Sequence, residues 1–110
     1  MEIDFANSKM ERIFNSDTLL LKVYGQQAKT IMLRMDALSA APNLAAVPSC
    51  KPIRCHALSG NRQGCFAVDL RQPYRLVFEP ANPAVPRLAD GGINLEEIRA
   101  IRILEVVDYH

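Results

Sequence analysis

The clearest periodic signal lies in the first forty residues. From Leu20 the apolar positions fall at Tyr24, Ala28, Ile31, Met35 and Leu38, at intervals of three or four that trace one face of an α-helix. Ser16 and Asp17 offer caps for its start, and Pro42 ends it. Gly25 sits inside this pattern at a cost of about 1 kcal/mol relative to alanine, which marks a candidate break between two helices. Upstream, residues 2–5 predict a short first strand, and Asn7 caps a helical turn running to Phe14.

After Pro42 the helical period disappears. Pro42, Pro48 and Pro52 predict an ordered loop over 42–52 that leads into a sheet. Two hairpins follow: residues 54–58 pair with 65–70 around Ser59-Gly60-Asn61-Arg62, and 65–70 pair with 74–79 around Arg71-Gln72-Pro73. A slip of one residue moves a strand's whole apolar set to the other face, so the length of the second turn can be chosen by pattern. A three-residue turn places Phe66, Val68, Leu70, Tyr74, Leu76 and Phe78 on the face that covers the helix. It leaves Cys65, Ala67, Asp69, Arg75, Val77 and Glu79 on the other. Arg75 then points away from the core, with Asp69 or Glu79 as a surface ion-pair partner in the plainest reading.

Setting His56 opposite Cys65 puts the histidine on Arg75's face, but alternation sends Leu58 there as well. A bulge or an early loop start near Ser59 would turn Leu58 inward. Residues 80–92 carry three prolines and two glycines and predict a flexible excursion. Asn94 caps a single turn to Glu97. Residues 98–107, rich in β-branched side chains on both faces, predict a last strand in the middle of the sheet. Helices followed by strands make an α+β domain, and 110 residues with 49% hydrophobic content suit a single one over 1–110.

No run of about 18 apolar residues is present for a membrane span, and MEIDFANSKM lacks the apolar centre of a secretory signal. A cytoplasmic protein with no membrane association is expected. Cys50, Cys55 and Cys65 are an odd set without a CxxC pair, which predicts reduced thiols. With His56 they could in principle hold zinc as Cys₃His, but structural zinc usually draws on paired knuckles, so neither a metal nor another cofactor is expected. The formal charge of +1 hides an asymmetry. Residues 51–75 hold Lys51, Arg54, Arg62, Arg71 and Arg75 against Asp69 alone, +4, leaving eight basic against eleven acidic residues elsewhere, −3. A solvated arginine-rich hairpin is the bland explanation. The sharper one makes Lys51, Arg54, Arg62 and Arg71 contacts to RNA phosphate.

Four blocks in series carry a resemblance: Cys55-His56-Ala57-Leu58-Ser59-Gly60, Ala67-Val68-Asp69-Leu70, Tyr74-Arg75-Leu76-Val77-Phe78-Glu79-Pro80, and the closing Asp108-Tyr109-His110. Together the chain resembles the HigB-type killer proteins of the RelE/ParE toxin superfamily. The resemblance implies a RelE-like fold, with two N-terminal helices packed on one face of a small curved, mainly antiparallel β-sheet. It implies cleavage of messenger RNA on the opposite face, usually within a translating ribosome. It also implies a cognate antitoxin of HigA type carrying a helix-turn-helix domain. The residues it implicates in cleavage are His56, Arg75, Asp108, Tyr109 and His110. Relatives often carry lysine after Leu58, where this chain has Ser59; Arg62 in the same loop is the candidate to restore that charge.

The chemistry stands apart from the resemblance, because RNA brings its own nucleophile in the 2′-hydroxyl and needs no metal to be cut. A base must take the hydroxyl proton, a cation must stabilise charge on the phosphoryl oxygens, and an acid must protonate the departing 5′-oxygen. Two histidines suit the proton transfers, arginine offers a fixed fork to phosphate, and Tyr109 offers a ring for a splayed base. Asp108 and the α-carboxylate of His110 are anions that stabilise a charged His110 imidazole. The rival readings are a ParE-like gyrase-directed toxin, which the pair His56 and His110 argues against, and an inactive relic that only binds protein.

Overall fold

A computed structural model describes residues 1–108. The chain runs β1 (Glu2–Phe5), α1 (Ser8–Phe14), α2 (Asp17–Tyr24), α3 (Ala28–Ala40), β2 (His56–Ala57), β3 (Phe66–Asp69), β4 (Tyr74–Pro80) and β5 (Ala100–Asp108). The fold is α+β. Among the described residues five strands form one mixed sheet in the order β1-β5-β4-β3-β2, antiparallel except for the parallel pair β1 and β5. β5 is an inner strand, as its branched side chains predict.

Where the resemblance implies two helices, the described residues make three α-helical segments, as the turn to Phe14 and the break at Gly25 predict. Asn7 accepts from the amide of Met10 and Ser16 from that of Leu19, so both predicted caps form. The long amphipathic pattern is broken where expected: Gly25 adopts φ +54, and a 3-10 turn over Gly25–Gln27 separates α2 from α3. Leu20, Ala28, Ile31 and Leu38 keep to one side across this break and are fully or almost fully buried.

The helices cover the face of the sheet presented by Phe66, Val68, Leu70, Leu76, Phe78, Ile101 and Ile103, and together these side chains form the core. The register that selects this face is the predicted one. Asp69 stands opposite Arg75 and Phe66 opposite Phe78, across a three-residue turn. Tyr74 lies on the helix side but at the end of its strand, where it is exposed. A bulge between Val77 and Phe78 leaves Leu104 as the extra residue of β5 and resets alternation along that strand.

Three loop expectations change. His56 opposes Ala67, not Cys65, a slip of two residues that keeps it on Arg75's face because the side-chain period is two. Leu58 does not turn inward. Its amide bonds the Cys65 carbonyl and it lines the outer face, as strict alternation requires. Residues 80–92 are not a structureless excursion: Arg87 bridges Ile93, Leu88 N–H bonds the Gly92 carbonyl, and Asn94 N–H bonds the Pro86 carbonyl. The turn at Leu95–Glu97 forms without a side-chain bond from Asn94. No helix among the described residues is long and apolar enough to cross a membrane.

Gly25 separates two expectations. Inside an uninterrupted helix Gly25→Ala would stabilise, but at φ +54 an alanine is strained even though nothing lies within 4 Å of its Cβ. Gly25→Ala is therefore expected to lower stability by about 1 kcal/mol, read as a fall in the denaturant midpoint at unchanged slope.

Candidate functional site

On the face of the sheet away from the helices, the middle of β3 and β4 presents Ala67 and Val77, both fully buried yet outside the main core. They are small enough for charged side chains from the flanking positions to lie across them. Arg62 reaches Glu105 at 2.6 Å and Arg102 reaches Glu79 at 3.0 Å. Asp69, next to the turn, is the one buried charged residue among the described residues.

Asp69 is a hub. Its carboxylate accepts two bonds from the Arg54 guanidinium, 2.7 Å from Nε and 3.0 Å from Nη2, and lies 3.4 Å from Arg75 Nε. Its backbone joins in, since its N–H donates to the Ile53 carbonyl at 2.8 Å and its carbonyl accepts from Arg34 Nε at 2.6 Å. The bond with Asp69 holds the Arg54 pKa above its ordinary value. Arg54 takes φ +48, a left-handed conformation that is uncommon outside glycine and costs on the order of 1 kcal/mol. In that conformation its carbonyl meets His56 Nδ1 at 2.7 Å. A carbonyl only accepts, so Nδ1 carries the proton and the neutral ring keeps its lone pair on Nε2.

Beside His56 is an open cleft of about 430 Å³ lined by Arg54, His56, Ala57, Leu58, Ser59, Asn61, Arg62 and Arg75. Four residues proposed from the sequence therefore meet: His56, Arg75, Arg54 and Arg62. Lys51 and Arg71 are exposed and do not line it. Arg71 belongs to the turn whose backbone is tied to Gln27, on the helical side. Asp108 pairs with Tyr74, and directly paired residues share a face, so by register it stands one position out of phase with Arg75 and its partner Val107. Tyr109 and His110 lie outside the described residues.

Sequence reasoning valued Asp69 only as a surface partner for Arg75 and overlooked Arg34 and Glu105. A lone acid inside an otherwise basic stretch, between Val68 and Leu70, was the available signal for Asp69. Among the described residues no group of three or more His, Cys, Asp or Glu side chains is arranged to hold a metal ion. The thiols are unpaired. Burial pushes Cys55 up to about 11. Burial also raises Cys65, helped by the charges of Glu79 and Glu105 and opposed by Arg62.

With its pKa near 11, Cys55 is roughly 0.1% thiolate at pH 8, and the thiolate is the nucleophile. An alkylating probe at pH 8 should modify exposed Cys50 at least about 10-fold faster than Cys55, as read by peptide mass spectrometry. Equal rates would show that the Cys55 environment is open.

Searches for similar proteins bear on the site only by their outcome: no family model matches the chain, and no curated protein matches it.

Proposed function

We propose that this chain is the toxin of a type II toxin–antitoxin pair, an endoribonuclease of HigB type on a RelE-like fold. It cuts messenger RNA by attack of the substrate's own 2′-hydroxyl. The observation that carries this reading is His56, held through Nδ1 with Nε2 as its basic nitrogen, in a cleft that also contains Arg62 and Arg75. His56 takes the 2′-hydroxyl proton, and the two arginines stabilise charge on the phosphoryl oxygens as it builds.

The ion pairs decide which arginine serves phosphate. Arg62 and Glu105 are 34% and 46% exposed, a setting in which a pair is worth about 1 kcal/mol or less. A phosphodiester, which arginine binds through charge-assisted bidentate bonds, can displace it. Arg54 is already committed to Asp69 through two bonds and serves RNA less directly than its charge suggests. Lys51 suits a flanking phosphate outside the cleft, whereas Arg71 is carried on a turn tied to the helical side. In this reading His110 protonates the leaving oxygen, Tyr109 stacks a base, and Asp108 is the anion two positions from His110. A helix-turn-helix antitoxin of HigA type is the expected partner, and the ribosome the expected setting.

The carboxylates interleaved with these arginines favour a second reading, a surface that binds protein without catalysis. One experiment separates the two. Purified chain at high dose should cut naked RNA in the presence of chelator and leave cyclic or 3′-phosphate ends. His56→Gln should lower the rate by at least about 100-fold without changing the circular dichroism spectrum. Cleavage restored only by metal would refute the 2′-hydroxyl route. Absence of cleavage with and without ribosomes, together with normal growth on induction, would establish the binding module instead.

A further inference from the structure

We propose that Asp69 is a positioning residue for His56, acting through the strained backbone of Arg54; this rests on the ribonuclease reading of the same cleft. No hydrogen bond joins Asp69 to the histidine directly. The link runs from the buried carboxylate to the Arg54 guanidinium, and from the Arg54 carbonyl to Nδ1.

Three features make this link a clamp. The left-handed conformation of Arg54 is one that a free arginine leaves readily, so something must hold it. Asp69 holds it at both ends: the carboxylate grips the side chain in a two-pronged bond, and the Asp69 N–H grips the carbonyl of the preceding residue, Ile53. Asp69 is itself fixed from the helical side, because Arg34 Nε donates to its carbonyl, and Arg34 Nη2 also donates to the Pro52 carbonyl at 3.3 Å. The segment carrying the histidine is thereby fastened to α3 and β3, although β2 is only two residues long.

The consequence for chemistry is a single tautomer. With Nδ1–H given to the Arg54 carbonyl, Nε2 is the only nitrogen able to accept a proton, which is the condition for a base. Asp69 also lies 3.4 Å from Arg75 Nε and so orients the second group of the cleft. Its carboxylate opposes phosphate binding by charge while favouring the reaction by geometry. Those two effects have opposite signs in KM and kcat.

The test uses the full chain and two readouts. In Asp69→Asn, which keeps the shape and removes the charge, kcat on naked RNA should fall roughly 10- to 100-fold while KM stays level or falls. In nitrogen NMR of the histidines, the His56 signals should move from the single Nδ1–H tautomer to a mixture; a His110→Gln background, used for the spectrum alone, identifies them. Arg54→Gly, which tolerates the positive φ but has no guanidinium to grip, should release the same tautomer. It decides the matter if Asp69→Asn does not fold. A tautomer that remains pinned in these variants overturns the proposal, as does a released tautomer with unchanged kcat. If the tautomer is pinned in the natural chain, released in the variants, and no form cuts RNA, the clamp is upheld and the ribonuclease reading is what fails.

Discussion

Pairing of Asp69 with Arg75 across a three-residue turn is the constraint from which the rest follows. It sends Phe66, Val68, Leu70, Leu76 and Phe78 to the helices and leaves Ala67, Asp69, Arg75 and Val77 on the other side. A slip of β4 by one residue would turn Arg75 toward the helices and Phe78 away from them. Burying a large apolar side chain is worth about 1.5–3 kcal/mol, so keeping Leu76 and Phe78 inside outweighs any preference of the turn itself. The face that gathers charged groups is in this sense the remainder left by the face that makes the core.

That remainder is not simply basic. Arg54, Arg62 and Arg102 each meet a carboxylate, from Asp69, Glu105 and Glu79. A balanced face of this kind does little to attract a polyanion from a distance, because the opposing charges cancel beyond a Debye length of about 8 Å. It can still bind phosphate at contact, where a weak exposed pair is exchanged for a stronger bidentate one. On the proposed function, much of the affinity would then come from a setting that presents the RNA locally, which suits a ribosome-bound substrate better than a free one. The mixed charge would also make the face a fair surface for a protein partner.

The two ends of the site differ in how well the residues foretell them. Alternation assigns Arg75 to the outer face, because the alternate positions of the hairpin are apolar and belong on the other side. His56 reached the same face despite a two-residue error in its partner, since an even slip preserves sidedness. The resemblance groups Asp108 with them, yet its register opposite Tyr74 sets it out of phase with Arg75. The bulge between Val77 and Phe78 resets β5 relative to β4, and no local pattern announces a bulge that only strand pairing creates.

Periodicity and capping chemistry determined the elements that repeat: the amphipathic helices with the break at Gly25, the hairpin of β3 and β4, the inner position of β5 and the α+β class. Those features depend on neighbours a few residues apart, and apolar burial enforces them one residue at a time. Tertiary structure alone decided the clamp that holds His56. It joins Arg34, Ile53, Arg54 and Asp69, residues of a helix, a loop and a strand, through a left-handed arginine that no propensity favours. A conformation that is locally unfavourable persists where other groups supply compensating bonds, and those from Arg34 and Asp69 exist only once the sheet has closed against the helices.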